Sequence, residues 1–431
     1  MHHKRNRKPA MSTPFYDLAS LVVVPSGYKS GKIYAQKPLT TDGQLTFTRA
    51  STATRVNASG LIESVASGVP RLDYQGSTCP KLLLEPQRTN LVLYSEQINT
   101  APNVVESTTY TANAYTSPDG TQNAAQFTET TANDRHGFYQ YSTVSSQAHT
   151  ASIFTKQTGR RYIAFTTDAT GTQYTSFFDL QTKSVLTSGT GHTCSVQDYG
   201  NGWLRLIVSF TASSGSRYFI WGGSPNGTDF YYTGSSSFSQ TFWGYQLEAG
   251  AYATSYIPTT SAAVTRLADA AYKTGISSLI GQTEGTLFVD FYYDLSNNTP
   301  NGSDKSVMTI RPTGGGTNNE IAIVYYGDES GTYGKTIQVF VSVGGASQCL
   351  IKTPQNLTNG YYKVAFAYKQ NDFALYVNGA QIGTDSSGSV PTCSELYLND
   401  PVRVASPTAP KQALLFKTRL TNAQLAELTS L

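Results

Sequence analysis

The sequence predicts an all-β chain: an N-terminal anchor and connector, then two β-sandwich (jelly-roll) domains and a short C-terminal helix. Three observations predict it. Only 14% of the 431 residues are charged, so the Lys- and Glu-rich surfaces of helical domains are missing. There are 29 Tyr and 19 Phe beside frequent Thr, Ser and Gly, the composition of pleated strands separated by turns. At about 100–200 residues per domain the length accommodates two or three domains. A membrane-spanning helix needs about 18 or more consecutive apolar residues, whereas the pure apolar runs here are a few residues long, so a folded chain without membrane insertion is expected.

Residues 1–40 read as tail and anchor. Lys4, Arg5, Arg7 and Lys8 lie in the first ten residues, which hold no acid; removing these four from the 31 basic residues leaves 27 against 28 acidic ones. The net charge of +3 therefore belongs to the head, and the body is nearly neutral. No apolar segment follows the head as in a signal peptide, so it reads as a flexible tail. Basic stripes interleaved with aromatics are absent, which argues against nucleic acid as a partner. Leu18–Pro25 is a short apolar strand closed by a turn at Ser26–Gly31; one strand cannot bury itself, so it must pair elsewhere in the chain or with a neighbouring subunit.

Residues 41–98 read as a β connector punctuated by Asn57-Ala-Ser-Gly60, Ser67-Gly-Val-Pro70 and Tyr74-Gln-Gly76. Residues 99–260 form the first sandwich, with strands at Ala151–Thr155, Tyr162–Thr166, Tyr174–Leu180, Trp203–Phe210, Tyr218–Trp221 and Thr241–Leu247. In the run from Trp203, alternation puts Leu204, Leu206, Val208 and Phe210 on one face, and Trp203, Arg205, Ile207 and Ser209 on the other. Tyr256–Tyr272 is a linker in which Ala262–Ala271 reads as a helical turn.

Residues 275–431 form the second sandwich, with strands at Gly285–Asp294, Val307–Arg311, Glu320–Tyr326, Thr336–Val343, Tyr361–Lys369 and Phe373–Val377. Asn378-Gly379 supplies the dipeptide with positive φ that a type I′ hairpin needs. The only helix read from sequence is the last element: Thr421 and Gln424 make a capping box, and Leu420 with Leu425 a hydrophobic staple. It reads as a lid on a sheet.

The search for chemistry returns little. Outside the tail only His136, His149 and His192 could serve as bases, and no nucleophile elbow is present. Gly334-Lys335-Thr336 resembles the end of a phosphate loop, but Glu329 stands where its first glycine belongs. Cys79, Cys194, Cys349 and Cys393 show no metal spacing and read as free, mostly buried thiols, with a Cys349–Cys393 bridge as the alternative. Asp294–Asn298 offers oxygen ligands but lacks the glycine and terminal glutamate of a calcium loop. Asp179, Asp198, Glu248, Asp290 and Asp294 read mainly as sheet or turn carboxylates. No catalytic residue, metal site or cofactor is assigned.

The aromatics are more informative. Trp203, Trp221 and Trp243 fall late in the first sandwich, with Tyr231 and Tyr232 beside Asn226-Gly-Thr-Asp229. Sugars present C–H faces that stack on flat rings while polar side chains take their hydroxyls. Core packing explains Trp203 and Trp243 at least as well. The glycan-contact candidates are Trp221, Asp229, Tyr231 and Tyr232, the two tyrosines read as a loop tip.

Several segments resemble a known family. Leu45-Thr-Phe-Thr-Arg-Ala-Ser-Thr-Ala-Thr-Arg-Val-Asn57, Gly60-Leu-Ile-Glu63, Val69-Pro-Arg-Leu-Asp-Tyr74 and Leu82-Leu-Leu-Glu-Pro-Gln-Arg-Thr-Asn-Leu91 are similar to the connector of tailed-phage fibre and spike proteins, especially from phages of gut Bacteroidetes. Asn201-Gly-Trp203, Trp243-Gly-Tyr-Gln-Leu-Glu-Ala-Gly250 and Thr254-Ser-Tyr-Ile-Pro-Thr259 resemble the carbohydrate-binding-type sandwich of those proteins. Residues 285–431 are similar, more loosely, to laminin-G/concanavalin-like jelly rolls.

The resemblance implies a non-enzymatic virion protein made in the bacterial host cytoplasm, a homotrimeric head or tail fibre. Its N-terminal region would join capsid or tail proteins, and its sandwiches would face outward toward host-surface glycans. A lone N-terminal strand completed by symmetry-related chains would fit a trimer. The alternatives are a capsule-degrading spike enzyme and an architectural capsid decoration protein.

Overall fold

Alternating apolar residues give each strand one face to bury, and the chain buries those faces by packing antiparallel sheets in pairs. The computed structural model describes residues 13–293, 304–327, 334–355, 357–400, 403 and 408–430. The basic head and the Asp294–Asn298 loop lie outside the described residues, as does Glu329. The class is all-β as expected, with every strand pair antiparallel among the described residues.

In the first sandwich one sheet runs, in spatial order, Val104–Glu106, Gly137–Val144, Gly215–Ser224, Tyr162–Thr167, Tyr174–Asp179 and Ser184–Thr187. The facing sheet runs Thr108–Tyr115, Ala124–Glu129, Ser239–Ala249, Ala148–Lys156, Trp203–Thr211 and His192–Gly200. Leu204, Leu206, Val208 and Phe210 enter the core between them, as alternation requires. The other face of that strand is not solvated. Trp203 packs with Phe154, Trp243 and Tyr256 against Val56 and Ile62 of the connector, so a second, smaller core joins the connector to this sandwich.

The second sandwich is assembled from distant parts of the chain. Its six-stranded sheet runs Leu21–Val23, Pro410–Phe416, Glu284–Tyr293, Gly360–Lys369, Phe373–Val377 and Ala380–Asp385. Its nine-stranded sheet begins with Gly27–Lys29, Lys32–Tyr34 and Gln44–Thr48, followed by Ala270–Lys273 and Glu395–Leu398. The N-terminal strand is thus completed by its own chain: Leu21 pairs with Leu415 and Val23 with Ala413. Leu21 and Val23 enter the inter-sheet core, while Val22 faces the opposite side. A segment read as a separate anchor is an integral strand, because its apolar side chains find an open edge in the same chain.

Asn378 and Gly379 both have positive φ, 49° and 81°, and turn the chain from Phe373–Val377 into Ala380–Asp385. The C-terminal helix Asn422–Leu428 carries the expected capping box from Thr421 and Gln424. Leu420, Leu425 and Leu428 close over the outside of the six-stranded sheet.

Two readings change. Thr13–Leu18 is a second short helix, with Phe15 seated in the same cluster under the lid. Ala262–Ala271 is not helical: Val264–Arg266 pairs with Arg88–Asn90, and Ala270–Lys273 pairs with Gln44–Thr48. Buried partners for Arg266 and Asp269 override the local alanine-rich preference. All four cysteines are free; Cys349 and Cys393 are buried, Cys194 is half-buried and Cys79 exposed.

Candidate functional site

Of the four sequence candidates, two reach solvent. Trp221 is 0% exposed. It lies on the inward face of Gly215–Ser224, its ring 4.5 Å from that of Phe165, and is a core residue rather than a sugar contact. The bend at Phe230 and Tyr231 leads into the short strand Tyr232–Thr233 and turns the three rings different ways: Phe230 and Tyr232 are buried and Tyr231 is 63% exposed. Tyr232 is not at a loop tip. It starts a ribbon with Asn133–Asp134, and its hydroxyl donates to Glu129 Oε1 at 2.7 Å. Asp229 is exposed, and its Oδ2 accepts from Asn226 Nδ2 at 2.7 Å.

Beside this loop the outer sheet face carries Tyr139, Tyr141 and Tyr218. Tyr141 is 56% exposed and makes edge-to-face contacts with the other two at 5.9 and 6.1 Å. Tyr141 and Tyr218 are cross-strand partners, which fixes their spacing.

A deeper concavity lies where the connector meets both sandwiches, with a volume of about 420 Å³, inside the range of small-molecule sites. Three strand pairs build it. On the first sandwich, Gln197 is directly opposite Arg205, and Ser195, Gln197 and Tyr199 share that face by alternation. On the second, Tyr292 is opposite Tyr361, rings 5.0 Å apart. From the connector, Asp73 is opposite Lys81. Tyr199, Tyr292 and Tyr361 are half-buried and line the cleft with Gln75, Asn359 and Thr408. Gln75 Nε2 donates to the Asp198 carbonyl at 2.8 Å, tying connector to sandwich at the rim.

Charge around the cleft is organised by a buried network behind it. Glu85 accepts from Arg71 Nη1 at 2.7 Å and from Ser255 N and Oγ at 2.8 and 2.6 Å, and also pairs with Arg266. Asp269 takes Arg49 at 3.0 Å, pairs with Arg71, and accepts the Glu85 amide at 2.9 Å. Burial alone would raise the Glu85 carboxyl, but Arg266, Arg71 and the Ser255 donors outweigh it and hold it well below the usual carboxylate range. Burial raises the Asp73 carboxyl despite Lys81 and the amides of Val56 and Gln75. Arg205, 2% exposed, donates to Ser152 Oγ and to the Thr254 carbonyl.

The segments that carry the family resemblance therefore supply structure first: Arg49, Arg71 and Glu85 come from the connector and Ser255 from the sandwich segment Thr254–Thr259. Sequence reasoning missed Tyr199, Tyr292, Tyr361, Lys81 and Arg205 as a set. The available signal was Arg205, a charge on the same strand face as Trp203 and Ile207. Among the described residues no group of three or more His, Cys, Asp or Glu side chains is gathered to hold a metal ion.

No protein-family model matches the chain, and no curated protein matches it. Solved structures similar to it are β-sandwich proteins. The CBM40 of Ruminococcus gnavus IT-sialidase, bound to α2,3-sialyllactose, is 12% identical over 36% of this chain and 91% of that one, with a TM-score of 0.29. Domains LG4–5 of mouse laminin α1 are 11% identical over 66% and 85%, with a TM-score of 0.21. Trypanosoma rangeli sialidase is 10% identical over 71% and 60%, with a TM-score of 0.29. These low scores carry no assignment of ligand or activity; the fold class rests on the pairing of the strands themselves.

Proposed function

We propose that the protein is a non-enzymatic glycan-binding protein of the virion, a homotrimeric head or tail fibre that attaches to host-surface sugars. The observation that carries the glycan part is the junction cleft, where three tyrosines and neutral hydrogen-bonding side chains converge in a concavity of sugar-binding size. The virion part is supported by the resemblance of residues 45–91 to phage connectors. Three copies per fibre would turn weak single sites into avid attachment.

A glycan array tests the glycan part. The expected result is binding lost on Tyr361→Ala and Tyr199→Ala; an empty array, or binding indifferent to both changes, overturns it. Mass measurement in solution at micromolar concentration tests the assembly, and a clean monomer removes the self-sufficient trimer. The capsule-degrading alternative draws on Asp73, a carboxyl raised by burial that lines the cleft. However, its oxygens accept the amides of Val56 and Gln75 at 2.9 and 3.1 Å, which fits a structural carboxylate. Turnover of host capsule would revive that alternative.

A further inference from the structure

The charges around the junction cleft do not balance. Its walls, mouth and the network behind it hold five cations, Arg49, Arg71, Arg205 and Arg266 with Lys81 at the mouth, against three carboxylates, Asp73, Glu85 and Asp269. The remaining charged groups at the rim are self-neutralising, with Arg55 on Glu63 at 2.7 Å and Lys183 on Asp198 at 2.5 Å. Arg205 is the unusual member. It is buried, lines the cleft, and among the described residues pairs with no carboxylate, its hydrogen bonds going to a serine hydroxyl, a carbonyl and the Tyr199 hydroxyl. A buried guanidinium without a counter-charge is unfavourable unless something supplies one.

The mouth adds Lys411, with Asp290 in its field, to Lys81 already counted. Lys81 Nζ stands 5.3 Å from the Tyr292 ring centre and Lys411 Nζ 3.4 Å from that of Tyr361, so both mouth tyrosines carry an ammonium against the ring. Lys81 has only a distant carboxylate, Asp73 at 3.9 Å, and donates to the Gln75 carbonyl at 3.0 Å. A ligand entering here meets cations at the mouth and a further one on the wall, with neutral amides and hydroxyls between them and the lining carboxylates Asp73 and Glu85 already paired with cations. A carboxylate matches guanidinium geometry and gains most where water is excluded.

Resting on the glycan-binding reading, we propose that the junction cleft selects oligosaccharides bearing a sugar carboxylate, with the acid group directed at Arg205 and Lys81. Uronic and sialic acids share that chemistry, and the test separates them. Binding is measured by calorimetry for matched pairs: oligogalacturonate and oligoglucuronate beside their carboxyl-reduced forms, and 3′-sialyllactose beside lactose. The variants are Lys81→Gln, at the rim, and Arg205→Lys, which keeps the charge but loses the planar fork.

The expected result is that at least one acidic member binds, that removing its carboxylate weakens binding about tenfold or more, and that Lys81→Gln weakens the acidic member several-fold. Lys81→Gln keeps a polar side chain near the rim and should leave the protein folded, checked by its unfolding midpoint, so the inference remains testable if Arg205→Lys does not fold. Neutral members binding as tightly as their acidic partners overturns this inference and leaves the glycan reading standing. No binding by any pair overturns both. Acidic binding untouched by Lys81→Gln, and by Arg205→Lys where it folds, removes the assignment to this cleft.

Discussion

Replacing Asp269 by asparagine tests whether the buried network holds the connector to the sandwiches. Asp269 neutralises two guanidinium groups, Arg49 at 3.0 Å and Arg71, and takes the Glu85 amide at 2.9 Å. The substitution preserves shape and can keep the amide bond, but it leaves Arg49, Arg71 and Arg266 facing Glu85 alone. Each ion pair at such separation is worth roughly 4 kcal/mol at an effective dielectric of 20. Returning the aspartate to water in the reference state recovers several kcal/mol of that, so the net loss expected for breaking a buried pair is about 3–5 kcal/mol. The assay is urea unfolding followed by tryptophan fluorescence, since Trp203 and Trp243 pack with Tyr256 beside the network. Glu63→Gln is the control: its pair with Arg55 is partly exposed, at 36% for the glutamate side chain, and its loss should stay below about 1 kcal/mol. An Asp269→Asn midpoint within about 0.5 kcal/mol of the parent would refute the reasoning, since that is the range of an ordinary surface change.

Three further outcomes are expected. Trp221→Ala empties a fully buried site and should lower stability by about 3–5 kcal/mol in the same assay, whereas Tyr231→Ala, at a side chain 63% exposed, should change it by less than about 0.5 kcal/mol. Burial lowers the His192 imidazole from 6.5 to about 4. The unfolded chain therefore binds a proton that the folded chain refuses, and stability contributed by neutral His192 is lost progressively as pH falls from 6.5 to about 4; His192→Gln should flatten that part of a denaturation-versus-pH curve. Burial pushes the Cys349 and Cys393 thiols up to about 12, so Ellman's reagent on the native protein should react quickly with Cys79 and reach these two only on unfolding.

Local rules carried far in this chain. Strand positions followed from alternation, the Asn378-Gly379 turn from its φ requirement, and the last helix from Thr421 and Gln424, because each is decided by residues a few positions apart. What needed the structure was every choice between distant partners. The strand at Leu21–Val23 was visible, but nothing near it says that Leu415 lies across. Trp221 and Tyr232 have the right chemistry for sugar contact, yet their facing depends on where the strand enters the sheet. Ala262–Ala271 has local helix preference, overruled by the buried partners of Arg266 and Asp269. The cleft was the least legible feature, since Lys81, Arg205 and Tyr361 come from three parts of the chain and meet only when the sandwiches dock on the connector.

The pairing of Arg88–Asn90 with Val264–Arg266, continued by the Tyr94 amide on the Thr260 carbonyl at 2.7 Å, means that the chain leaves for the first sandwich and returns from it along one two-stranded ribbon. Leu21–Val23, at the other extreme, is bonded to Pro410–Phe416. Tension applied at the N-terminal strand therefore passes directly into the late strands of the second sandwich, while the first sandwich is a branch off that path. The branch is not loose, however: Trp203 and Trp243 grip Val56 and Ile62, and Ser255 bonds Glu85, so its removal would strip a wall from the cleft and a donor from the buried network.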